Sequence, residues 1–179
     1  MLPMLRALLF LCWAAGATPS PAYTLTAGVQ IPAPVVSRLQ ALAEKYQAET
    51  GQTLVITDGT RSPATQAGLM LRNLERGDDI VRNYANKTAA AEVLAAWEQA
   101  KAQELAGEAM LTRITEVIAA QVADKDYVSK HLREGAVDVR CSEMSKAQRV
   151  VFKRVARQLG IAVVDESRTA TPHFHLNFV

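Results

Sequence analysis

Apolar positions along this chain recur with two periods. Val35, Leu39, Leu42 and Tyr46 form one face of a helix, with Pro32 and Pro34 suited to its opening turn and Gly51 to its end. Ala67, Met70, Leu71 and Leu74 predict a second helix behind Ser62-Pro63, a hydroxyl cap followed by proline at the first helical position; Gly77 ends it. Ala147, Val151, Val155 and Leu159 predict a last helix, opened by the capping-box pattern Ser145-x-x-Gln148 and closed by Gly160. Other stretches alternate. In residues 136–140 Asp138 takes one face, and Val137 and Val139 the other. In residues 173–178 His173, His175 and Asn177 share a face opposite Phe174, Leu176 and Phe178. The β-branched run 53–57 and residues 161–164 predict further strands, and residues 23–33 an extended lead-in.

Between these elements lie residues 78–126, rich in alanine. Thr88 is placed to cap a helix running to about Leu105, with Leu94, Trp97 and Leu105 on one face. Gly107 breaks it, and a second helix runs from about Glu108 to Val122, with Met110, Ile114, Val117, Ile118 and Gln121 near one face. This reads as an inserted helical hairpin, either roofing a cleft or adding packing surface. The expected fold is α+β: a small antiparallel sheet flanked by helices, with the hairpin inserted into a single domain of residues 23–179.

The N-terminus does not fit that domain. Arg6 precedes the apolar run 7–17, and small residues at Ala15-Gly16-Ala17 and Ser20-Pro21-Ala22 offer two cleavage sites. Residues 1–22 read as a secretory signal peptide, too short in apolar length for a stable membrane span. A periplasmic or secreted location follows as an expectation. Removing these residues takes away Arg6 and no acid, lowering the net charge by one from +2, so no basic excess points to nucleic acid. Cys12 leaves with the leader. Cys141 then stands alone, excludes an intrachain disulfide and reads as a packing residue.

Charge and cysteine thus exclude much, while histidine points somewhere. The chain has 3 histidines, His131, His173 and His175, all in two polar-faced stretches. His131, Asp138 and His175 offer two imidazoles and one carboxylate. That set suits zinc with a fourth position left for water, provided the strands bearing Asp138 and His175 pair with aligned polar faces. His173, two residues from His175 on the same face, can reach such a site without ligating. Glu166 is the better candidate of the Asp165-Glu166 pair for a carboxylate base.

Ser129-x-His131-(x6)-Asp138, followed by His173-x-His175, resembles the LAS metallopeptidases, and most closely their D-alanyl-D-alanine carboxypeptidase branch. The branch pattern S-x-H-x-x-G-x-A-x-D is matched at Ser129, His131, Ala136 and Asp138; its glycine falls on Glu134, and the glycine here is Gly135. The segment Asp58-Gly59-Thr60-Arg61-Ser62-Pro63-Ala64-Thr65-Gln66 is similar to the family's S-G-Y-R-S-x-x-x-Q, with Asp58 and Thr60 in place of serine and tyrosine. The branch's glutamate three residues before the last ligand is not matched, since Pro172 occupies that position.

The resemblance implies a zinc peptidase acting on peptidoglycan stem peptides, as carboxypeptidase or endopeptidase. It implies His131, Asp138 and His175 as ligands, His173 as a catalytic group and Arg61 as a binder of a substrate carboxylate or carbonyl. Read from the residues alone, Arg61 is more simply a structural ion-pair partner, and the motif match reverses that order. Ser129 is placed for a hydrogen bond near ligand or substrate, or for a turn; Gln66 for substrate binding, packing or support of a neighbour. Two other functions stay open: a non-catalytic, hedgehog-like zinc module, and a cell-wall L,D-endopeptidase.

Overall fold

The computed structural model describes residues 21–133 and 135–178. Residues 1–20 of the expected leader, 1–22, lie outside the described residues. Its last two positions are described: Ala22 is buried, and its carbonyl accepts from Leu54 N at 3.0 Å. Of the two expected cleavage sites, the one after Ala17 leaves these contacts intact.

The fold is α+β, with six α-helices and five strands among the described residues. The strands are β1 (Tyr23–Leu25), β2 (Leu54–Asp58), β3 (Ala136–Arg140), β4 (Ala162–Glu166) and β5 (His173–Asn177), in the sheet order β1-β2-β3-β5-β4. Every pair is antiparallel except β1 with β2, so the sheet is mixed where an antiparallel one was expected. The lead-in supplies the parallel strand. The helices are α1 (Val36–Thr50), α2 (Pro63–Glu75), α3 (Ile80–Asn83), α4 (Lys87–Ala102), α5 (Gly107–Ala123) and α6 (Lys146–Gln158). None of the described helices is long and apolar enough to cross a membrane.

Local chemistry sets the boundaries. Gly51 ends α1 in the left-handed region at φ 70°, which costs glycine little. Ser62 caps α2 by accepting from Thr65 N, with Pro63 opening the helix. The capping box of α6 is complete in both directions. Two expectations shift. Asn86, not Thr88, caps α4, through a bond from Ala89 N. β4 runs on to Glu166 rather than giving way to a loop at Asp165, because it pairs with β5 through Glu166 opposite His173.

Two cores result. One face of the sheet, carrying Val137, Val139, Phe174 and Leu176, packs against α1 and α6, with Phe152 stacked on Phe174 and edge-on to Tyr46. Cys141 is buried there. The second core joins Ala67, Met70 and Leu74 of α2 to Ile80, Val93, Ile114 and Ile118. The inserted hairpin therefore packs on α2, and its buried face on α4 is mainly alanine; Leu94, Trp97 and Leu105 are only partly covered. The polar face of the sheet looks into a cleft walled by both halves.

Candidate metal centre

Strand pairing builds the site. Asp138 of β3 lies directly across from His175 of β5, and Asp58 of β2 lies across from Asp138 on the other side. Hydrophobic alternation drives this: burying Val137, Val139, Phe174 and Leu176 on the core face leaves Asp138, His173 and His175 on the other. His131 comes from a 3-10 turn, Lys130–Leu132, whose first backbone bonds are satisfied by Ser129. Arg61 N donates to His131 O at 2.9 Å, tying that turn to the β2–α2 loop.

His131, Asp138 and His175 meet: each offers one ligand atom, and these atoms lie within 4.8 Å of one another. His131 Nδ1 donates to Gly59 O at 2.6 Å, which fixes its ring and aims Nε2 at Asp138 Oδ1, 3.4 Å away. Gly59 has to be glycine, since a Cβ there would stand 2.0 Å from Gln30 O. His175 Nδ1 lies 2.8 Å from Asp138 Oδ1. Burial alone would raise the Asp138 carboxyl pKa. Hydrogen bonds from His131 and His175, with the charges of His131 and His173, outweigh it and hold the group well below the usual carboxylate range.

His173 stands beside this trio. Its Nδ1 donates to Thr171 O at 2.6 Å, and its Nε2 lies 3.2 Å from Glu166 Oε2 and 3.6 Å from Asp138 Oδ2. Glu166 is placed there by its register opposite His173. Ser129 lines the cleft and accepts from His131 N at 3.4 Å, a turn-capping contact. The cleft has a volume of about 1210 Å³; its far wall is made by Leu69 and Asn73 of α2, Tyr84, and the segment 125–130 after α5.

No protein-family model, curated protein or solved structure matches the chain.

The site's own geometry carries the argument instead. Tetrahedral coordination with bonds of about 2.0–2.1 Å separates ligand atoms by about 3.3–3.4 Å. The His131–Asp138 separation has that value, while the ligand atoms of the set as a whole spread up to 4.8 Å and draw together on binding. The His175–Asp138 separation is shorter because a proton bridges the two atoms, and metal binding releases such a proton. These three residues can hold a metal ion.

Gln66 and Arg61 take up positions the sequence left open. Gln66 is fully buried behind Arg61 and does not line the cleft. Its Oε1 accepts from Arg61 Nη1 at 2.8 Å, and its Nε2 donates to Tyr84 Oη at 3.1 Å. Burial raises the Tyr84 phenol pKa, against the pull of the Arg61 charge. Arg61 reaches the cleft already paired with Asp58 at 2.6 Å. Neither Asp58 nor Tyr84 was expected at the site. A carboxylate three residues before the arginine was the available signal for Asp58; Tyr84 left none.

Proposed function

We propose that this chain is an exported zinc peptidase that hydrolyses D-amino-acid-containing peptide bonds in bacterial peptidoglycan stem peptides. One observation carries the reading: His131, Asp138 and His175 converge at an open cleft, with the pair His173 and Glu166 beside them. Two imidazoles and a carboxylate are a hydrolytic zinc donor set. When bound, zinc supplies Lewis acidity that polarises a carbonyl and lowers the pKa of water toward about 7.

The remaining work belongs to side chains of this chain. His173 accepts a proton at Nε2 and delivers it to the leaving nitrogen. Glu166 orients that ring and, being partly exposed, exchanges the proton with solvent. Arg61 donates to a substrate carbonyl from a fixed position. A His–Glu pair next to the ligands favours an enzyme over a non-catalytic zinc module, which has no use for it. The order of the sequence motifs, together with the export signal, supports the choice of a cell-wall peptide as substrate.

Metal analysis of protein purified without added zinc is expected to find one zinc per chain, and mass spectrometry of treated stem peptides a cut beside a D-amino acid. His173→Ala is expected to keep the metal and lower kcat by about 10²–10⁴-fold. Loss of metal in that variant would refute the assigned roles, and inert stem peptides would refute the reading.

A further inference from the structure

A guanidinium selects a carboxylate by presenting two parallel N–H groups to its two oxygens. Arg61 has already given that fork away. Its Nε and Nη2 both donate to Asp58 Oδ2, at 2.9 and 2.6 Å, and its Nη1 donates to buried Gln66. Its charge is matched as well, because the same Asp58 Oδ2 stands 2.6 Å from Nη2. A substrate carboxylate brought here would meet Asp58 at the place where it needed a cation. A neutral amide carbonyl asks for only one N–H, and Nη1 carries a second hydrogen besides the one given to Gln66. Space agrees with this: about 1210 Å³ exceeds the roughly 300–1,000 Å³ of pockets that enclose a small ligand.

We infer that this site cuts internal D-amino-acid peptide bonds and does not select a free C-terminal carboxylate, because Asp58 occupies the arginine fork that would select one. The inference rests on the peptidase reading and narrows it to an endopeptidase. In the reaction water adds across the scissile amide. Its oxygen bonds to the carbonyl carbon, the C–N bond breaks, and its electron pair stays on nitrogen, which takes a proton and leaves as an amine. No step of this balance requires a terminal carboxylate. Asp58 and Gln66 are positioning residues that aim Arg61 at a carbonyl.

The test uses the full, metal-loaded protein and two peptides with the same D-Ala–D-Ala bond, one ending in a free carboxylate and one in a carboxamide. Their kcat/KM values are expected to agree within about threefold, and Asp58→Ser, which frees the fork, is expected to favour the acid by about tenfold, the worth of one charge-assisted hydrogen bond. The second effect should appear in KM more than in kcat. A preference of the unaltered protein for the acid above about threefold overturns the inference and leaves the peptidase reading standing. Unchanged selectivity in folded Asp58→Ser overturns the role given to Asp58. Cleavage of neither peptide overturns the peptidase reading and this inference together.

Discussion

The two halves of this molecule are packed by different means. The sheet half buries aromatic and branched side chains: Tyr46, Phe152 and Phe174 touch in series beneath β3 and β5. The helical half, α2 to α5, buries Ala67, Ala89, Ala90, Ala100 and Met70 around Ile114 and Ile118. Small residues let helices approach closely, and the apolar area buried per residue is modest. The metal-type ligands all belong to the sheet half or to the turn bonded to it. The helical half contributes the opposite wall of the cleft. Placement of the ligands and enclosure of the cleft thus fall to different cores.

The sharpest way to break that division is to empty each core. Phe152→Ala removes a fully buried ring between Tyr46 and Phe174, beneath β5, and is expected to cost about 3–5 kcal/mol. Metal affinity should fall with it, since strand register sets the ligand spacing. Ile114→Ala, equally buried but in the helical core, is expected to cost about 2–5 kcal/mol while leaving metal affinity nearly unchanged in the folded fraction. Chemical denaturation paired with metal titration reads both. Equal loss of metal affinity in the two variants would mean that the halves do not divide the work.

That division was partly visible in the sequence. Alternation in residues 136–140 and 173–178 placed Asp138 and His175 on one face, because a one-residue slip would expose Val137 and Phe174. Caps at Ser62 and Ser145 are local chemistry and were readable. Long-range choices were not. Nothing local says that residues 23–25 pair parallel with β2. The last helix was phased on Ala147, Val151, Val155 and Leu159, but four-residue steps drift by about 40° each on a 3.6-residue helix. Val155 is buried and Val151 and Leu159 pack partly covered against the core, but Phe152 and Ala156 are the further buried positions and Ala147 is exposed. The alanine face of α4 was hidden by its larger, half-buried neighbours. Asp58 was visible as a departure from a motif, but its grip on Arg61 depends on the shape of the loop.

Acid separates the halves next. The two carboxyls held well below their ordinary range, Asp138 and Asp165, both lie on the sheet. Asp165 is exposed, and solvent screens its pairing with Lys153. Asp138 is buried and is the one expected to matter. Its folded pKa lies below the unfolded value of about 3.9, so the unfolded chain binds the extra proton as pH falls. The stabilisation is complete above that unfolded value and is lost as pH drops toward the folded one. In metal-free protein the urea midpoint should therefore fall on acidification below about pH 5, and Asp138→Asn should flatten that fall. An unchanged acid limb would mean that the bonds from His131 and His175 contribute nothing to it.

Helix caps give the smallest and most local comparison. Ser145 caps α6 over the sheet, and Asn86 caps α4 at the edge of the cleft. Removing either is expected to cost about 0.5–2 kcal/mol. Asn86 does one thing more: its Nδ2 donates to Asp126 Oδ1 at 2.5 Å, tying the start of α4 to the segment that leads to Ser129 and His131. Asn86→Ala should therefore speed amide hydrogen exchange across residues 125–130 while leaving β3 and β5 as protected as before. Ser145→Ala should leave both regions as protected as before, because its cap bonds stay within α6. If Asn86→Ala also opened β3 and β5, the turn carrying His131 would transmit disturbance from the wall to the ligands, and the helical half would help position the site as well as enclose it.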